Sequence, residues 1–325
     1  MIKTHEPLCR SENQGRAVLF YRNTLSAKIK TSPVRQNLRK KKMKTVRLLY
    51  PDYVSGGMDT YYFGANLMAH ILPENKNQPL IRVDVLPPPG KEKSIVEGIY
   101  GKDEVVHGIR DAMKKLEAEN PDRVVTIGGN CMVSLAPFDY LHGKYENVGI
   151  VWIDAHPDVS TPKDGYPNAH AMVLGSLMGF GDASLSGMMK NAKFTADQIL
   201  YVGLQGLHDY QKTFLDDMHL DYRVQTEAFV SDTDIMAFAK KFDRLLVHFD
   251  IDVLDEKLFH STYFANPELV GDGSGGGKMT IEKLSEILQS IQSCSDIVGF
   301  TVAEYLPFDE YRLHKMFSKI NFLTD

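Results

Sequence analysis

Val148-Gly149-Ile150-Val151-Trp152-Ile153-Asp154-Ala155-His156-Pro157-Asp158 is the stretch on which the reading of this chain turns. An uncharged, mostly apolar run gives way to three metal-ligand side chains spaced two apart. Successive side chains on an extended strand alternate faces, so Asp154, His156 and Asp158 would share one side of the strand end. Two carboxylates and an imidazole suit a hard-to-borderline divalent cation. Residues 245–252, Leu-Leu-Val-His-Phe-Asp-Ile-Asp, repeat the design and end in Asp250 and Asp252. Carboxylates paired across two divalent ions lower the pKa of a bound water enough for attack at neutral pH. The two stretches together point to a metal-activated hydrolase, with donors enough for one or two ions.

Outward from these stretches, strand-like and helix-like segments alternate. Strands are expected at residues 45–51, 80–87, 123–127, 148–153, 198–204, 244–249 and 297–303. Helices are expected at 62–71, 96–120, 135–141, 171–180 and 280–294. The last helix places Ile281, Leu284, Ile287, Leu288 and Ile291 on one face, with Thr280 as its N-cap. Apolar strands alternating with helices predict an α/β fold, a single three-layer α/β/α domain around a parallel sheet. In such sheets ligands bind at the carboxyl ends of the strands. Gly128-Gly129-Asn130, Asp154 to Asp158, Asp250 to Asp252 and Ala303-Glu304-Tyr305 all fall there.

The composition fits a soluble globular domain: 43% hydrophobic and 24% charged over 325 residues. No apolar run approaches the roughly 20 residues of a membrane span, so no membrane association is expected. Cys9, Cys131 and Cys294 are odd in number and far apart, which argues against a disulfide framework and for a reducing, cytoplasmic setting. The net charge of -5 hides an asymmetry. Residues 1–42 carry 11 Lys or Arg and two acids, while the remainder carries 26 basic and 40 acidic side chains. An acidic body excludes nucleic acid as the expected partner. Residues 1–42 read as a disordered basic extension, with targeting and binding to an acidic partner as alternatives. The domain proper is expected over residues 43–325.

The chain resembles the arginase/agmatinase/formimidoylglutamase family of ureohydrolases from residue 45 onward. The resemblance rests on Gly128-Gly129, on Asp154 to Asp158, on Asn168-Ala169-His170 and on residues 249–252. Gly275-Gly276-Gly277 and Glu304 extend it. It implies an arginase-like fold, a pair of manganese ions and hydrolysis of a linear amidine or guanidine C–N bond. It also implies that Asp154 and Asp250 bridge both metals, that His156 and Asp252 complete one site, and that Asp158 helps form the other. His170 would shuttle a proton, and Glu304 would hold the cationic group of the substrate. Asn168 and Ser160 are candidate substrate contacts, and His208 is either a further one at the rim or a surface residue; the resemblance implies a homo-oligomer, trimer or hexamer, as the assembly.

The pattern is broken at one ligand. Asn130-Cys131-Met132 stands where the family pattern is Asp-His-Ser, so Cys131 takes the place of a histidine ligand. A thiolate favours zinc or iron(II) over manganese; alternatively Cys131 stays a small buried residue and that site is weak or empty. Gly203-Leu204-Gln205-Gly206-Leu207-His208 also lacks the acid an arginase uses to grip its substrate's amino group. A degenerate member acting as a binding or regulatory protein is therefore the rival reading. A one-zinc deacetylase is a weaker one, since its His-His pair is missing.

Other candidates read as structure. The glycine-rich stretch 271–279 fails as a phosphate loop, because Asp272 replaces its first glycine and Met279 its Ser/Thr. His248, inside an apolar run, reads as a satisfied core histidine. His107 and His142 read as solvated and Cys294 as inert core. Ser134 and Ser176 lack a nucleophile elbow.

Overall fold

The computed structural model describes residues 43–89, 91–225, 229–269 and 273–324. The basic extension, residues 1–42, lies outside them, as do positions 271 and 272 of the glycine-rich stretch. In chain order the regular elements are β1 (Thr45–Tyr50), α1 (Thr60–Ile71), β2 (Leu80–Arg82), β3 (Ile95–Val96), β4 (Ile99–Tyr100), α2 (Lys102–Glu119) and β5 (Arg123–Gly128). There follow α3 (Leu135–Lys144), β6 (Val148–Ile153), α4 (Val173–Leu177), α5 (Ala183–Ser186), β7 (Ile199–Val202), α6 (Asp209–Asp217) and α7 (Asp232–Ala239). The chain closes with β8 (Arg244–Asp250), α8 (Ile281–Cys294), β9 (Asp296–Ala303), α9 (Phe308–Phe317) and α10 (Asn321–Thr324).

Seven strands form one parallel sheet in the order β2-β1-β5-β9-β8-β6-β7. The chain builds one half outward, crosses to build the other, and fills the middle last with β8 and β9. Side chains of alternate parity go to opposite faces, and each face has its own core. Leu48, Val124, Ile150 and Leu246 pack with Ile109 and Leu116 of α2 and Phe138 of α3. Leu49, Ile127, Val151 and Val247 pack with Ile235 of α7 and Leu284, Ile287 and Ile291 of α8. This is the three-layer α/β/α architecture expected from the alternating pattern. Burying both faces explains why the central strands read as unbroken apolar runs.

The elements differ from expectation where local chemistry intervenes. The segment expected as a strand over 80–87 pairs only through Leu80–Arg82. Prolines at 87, 88 and 89 follow, and proline cannot donate to a ladder. The helix expected from residue 96 begins at Lys102, because residues 95–100 form a small hairpin turning at Glu97-Gly98, both at positive φ. The helix expected over 171–180 is a 3-10 turn (Ala169–Met172) and a five-residue helix, and Gly179 at φ 85 stops it. Helices α6, α7 and α9 and the strands β3 and β4 were not anticipated. No described helix is long and apolar enough to cross a membrane.

Candidate metal centre

The strands β5, β9, β8 and β6 are neighbours, and their registers bring their carboxyl ends level. Ile153 pairs with Phe249, and Val302 pairs with both Phe249 and Ile127. The residues just beyond these pairs supply the site. Asp154 leaves β6 held to the sheet by its own N–H, which donates to Val202 O at 3.0 Å. Asp250 ends β8 and caps the 3-10 turn Ile251–Val253, its carboxylate accepting the Asp252 N–H at 2.7 Å. Cys131 opens the 3-10 turn after β5, which the side chain of Asn130 caps. Asp158 and Glu304 adopt positive φ, 52° and 63°, which is uncommon outside glycine. Backbone hydrogen bonds hold both: Asp158 O accepts from Leu174 and Gly175, and Glu304 N–H donates to Gly129 O. Two glycines let the loops close in. A Cβ on Gly129 would overlap the Asp52 carbonyl, and one on Gly277 the Val253 carbonyl. Gly277 N–H in turn donates to Asp252 O at 2.8 Å and steadies the backbone of that residue.

These residues converge. His156 Nδ1 lies 3.0 Å from Asp252 Oδ2 and 3.6 Å from Asp154 Oδ1. The Cys131 thiol donates to Asp250 Oδ2 at 2.7 Å and lies 3.5 Å from Glu304 Oε1. His170 bridges Glu304, at 2.7 Å from Nδ1, and the Tyr166 hydroxyl, at 2.9 Å from Nε2. Asp154, His156 and Asp252 make one compact donor group, and Asp250, Asp252 and Glu304 another. Asp158 contributes a buried Oδ2 without a hydrogen-bond partner, and His156 Nε2 is likewise buried and unpartnered.

The electrostatics favour a cation at this floor. Burial, and then the charge of Asp252, pushes the Asp154 carboxyl up to about 7. Burial raises Asp158 and Asp250 as well, with neighbouring carboxylates adding to it. Burial also raises the Cys131 thiol, and Asp250, Asp158, Glu304 and Asp154 reinforce this, so the sulfur carries its proton. Burial opposes a charge on His156, but the facing Asp252 and Asp154 carboxylates outweigh it and raise its pKa. Among the described residues lining the site there is no Lys or Arg. Carboxylates gathered in low dielectric with no Lys or Arg beside them fit a divalent ion.

The donors floor a cavity of about 360 Å³ whose wall includes Tyr61, Ser160, Tyr166, Asn168, Tyr210 and Phe264. Ser160 is buried and its hydroxyl lies 3.1 Å from that of Tyr210. Asn168 is part of the wall. His208 is not among the described lining residues; its ring stacks on Tyr210, which is.

A model of the family described as Arginase matches residues 82–315. The chain belongs to the arginase family. The arginase of Entamoeba histolytica is 29% identical over 163 residues, 47% of this chain and 54% of that relative. That of Bacillus caldovelox is 25% identical over 184 residues, 52% and 61% of the two chains. The chain thus spans about half the length of the curated relatives it matches. Solved structures show the fold over more of it. Entamoeba histolytica arginase, crystallised with L-ornithine, superposes with a TM-score of 0.67 at 19% identity, covering 82% of this chain and 93% of that one. A putative agmatinase from Clostridium difficile gives 0.56 at 17% identity, covering 84% and 91%.

Several residues of this arginase-family site carried no signal in the sequence. Tyr61 donates to Glu304 Oε2 at 3.1 Å from α1, and the Trp152 indole donates to Asp154 Oδ2 at 3.0 Å. Tyr166 was visible only as a neighbour of Asn168. Two histidines need correction. His142 is half-buried rather than solvated: its ring stacks on Phe194 at 4.0 Å, and burial lowers its pKa. His248 is fully buried but only half satisfied, for Nδ1 meets Ser134 Oγ at 2.8 Å while Nε2 has no partner. His107 is exposed, and Cys294 is half-buried against the last turn of its own helix.

Proposed function

We propose that the protein is a metal-dependent hydrolase that cleaves a linear C–N bond in a small amidine or guanidine compound. The observation that carries this reading is the cavity floor, where carboxylates from three strand ends meet two histidines with no Lys or Arg among the described lining residues. Asp154 and Asp250 would stand between two ion positions. His156 and Asp252 would complete one, and Asp158 and Cys131 would serve the other. Manganese is the family expectation, and Cys131 favours zinc or iron(II) at its own position. Such ions supply a water acidic enough to attack at neutral pH.

The chain's own residues do the rest. Glu304, anchored by Tyr61 and His170, offers a buried carboxylate to an amidinium or guanidinium group. His170 is well placed to donate a proton to the leaving amine: burial opposes its charge, but Tyr166 and Glu304 outweigh burial and raise its pKa. Water adds at the central carbon, the C–N bond breaks, and the amine leaves protonated. Tyr166, Asn168 and Ser160 would shape the wall for the substrate, with His208 behind Tyr210. A cytoplasmic homo-oligomer, trimer or hexamer, completes the reading.

Purified protein loaded with Mn(II), Zn(II) or Fe(II) is expected to release urea, ammonia or formamide from a member of an amidine and guanidine panel. Absence of turnover by protein shown to hold its metals overturns the proposal. The protonated Cys131 thiol, bonded to Asp250, favours a second reading in which the inner site is weak and the protein binds without turning over. Elemental analysis separates them: metal content far below one ion per chain after loading supports the second.

A further inference from the structure

His248 is a buried histidine beneath the site that the proposed chemistry leaves unused. It lies one layer below the carboxylates, in register with Trp152 of β6 and Thr301 of β9. Its ring is fully buried and clamped. Trp152 stacks on it at 3.7 Å between centroids and 7° between planes, and Ser134 Oγ meets Nδ1 at 2.8 Å. The other nitrogen, Nε2, points toward the carboxylates and stops 3.8 Å from Asp154 Oδ2, beyond hydrogen-bond reach. A buried ring nitrogen aimed at carboxylates and left unpartnered is unusual and asks for a partner.

The partner is indicated by the surrounding donors. Nitrogen of His248, Sγ of Cys131 and one oxygen each of Asp154 and Asp250 all lie within 4.8 Å of one another, and all four residues are buried. Nitrogen, sulfur and carboxylate oxygen together are the donor types zinc accepts, and four is its usual number. We propose that His248, through Nε2, is a direct ligand of an inner metal ion shared with Cys131, Asp154 and Asp250, and that this ion is zinc-like rather than manganese-like. The inference rests on the reading of the cavity floor as a metal centre. For ligation the Nδ1 proton is donated to Ser134 Oγ, which leaves the Nε2 lone pair facing the ion.

Zinc K-edge absorption spectroscopy on the full chain tests this. The double variant His156→Asn/His170→Asn leaves His248 as the one histidine in any described donor group. With one equivalent of Zn(II), it is expected to show one sulfur at about 2.3 Å and one imidazole. A sulfur-bearing shell without imidazole overturns the inference and leaves the metal-centre reading intact. So does a double variant that binds no zinc while the wild-type protein binds it. His248→Gln is expected to weaken the sulfur-linked ion at least tenfold while the second ion stays; an unchanged affinity again overturns it. A wild-type chain that takes up neither zinc nor manganese overturns both readings, and is distinguished by that result alone.

Discussion

In the proposed centre, Cys131 and Asp154 would decide how an ion is chosen and held. A protonated thiol bonded to Asp250 must lose its proton to serve as a donor, and a soft sulfur rewards zinc more than manganese. Cys131→Ser is therefore expected to weaken Zn(II) binding by about tenfold or more while leaving Mn(II) binding within a few-fold, as measured by calorimetry. Equal losses for both ions would show that the sulfur is not a donor. Asp154 sets the pH dependence. Its folded-state carboxyl is raised to about 7, so below that pH it holds a proton that an ion must displace. Metal affinity is expected to rise steeply between pH 6 and pH 8, and a flat profile would exclude Asp154 from the ligand set. At this scale the sequence displayed Asp154, His156, Asp158, Asp250 and Asp252, because a strand end followed by donors two apart is a local pattern. Tyr61, Tyr166 and His248 were not legible as site residues, because each reaches the floor by tertiary placement.

Among the elements, α8 was the most legible. Its apolar positions recur every three or four residues, and the Thr280 hydroxyl accepts the Lys283 N–H at 3.1 Å, as a Thr N-cap should. Thr280→Ala is expected to cost about 1 kcal/mol in urea unfolding, with no change in metal content. The loop before it carries more weight than its composition suggests. Gly277 sits so close to Val253 that a Cβ cannot enter without moving the turn that holds Asp252. Gly277→Ala should cost about 1–3 kcal/mol and also lower metal affinity, which separates it from the helix-cap variant. The elements that sequence reasoning missed or misplaced share a cause. In α6 the short run Asp209–Asp217 buries only Gln211 and Leu215, too few positions to show a period. Beyond β2, prolines end the pairing although the apolar pattern runs on. The helix expected over 171–180 ends early because Gly179 turns the chain to positive φ.

For the whole molecule, the parallel sheet would couple folding to the proposed ion. The donors belong to strands far apart in sequence, and β8 and β9 join them only when they fill the middle of the sheet. Metal binding then stabilises the fold as any ligand of the native state does, by about 4 kcal/mol at a thousandfold excess over Kd. For the stripped protein the sign with pH follows from the raised carboxyl of Asp154. Its contribution to stability is fully present below the unfolded-state value of 3.8 and is lost as pH rises through about 7. The loaded protein escapes that loss, so the difference in Tm between loaded and chelated samples should widen from pH 6 to pH 8, reaching roughly 10 °C. A difference independent of pH would mean that the carboxylates do not ionise on binding. By itself, the sequence determined the alternation of buried strands and helices, the family pattern and most of the donors, since these depend on periodicity and near-neighbour spacing along one segment. Only the tertiary structure decided that four strand ends meet at one floor, that Cys131 spends its proton on Asp250, and that His248 turns an unpartnered nitrogen toward them. Those facts depend on strand order and register, which join residues more than a hundred positions apart.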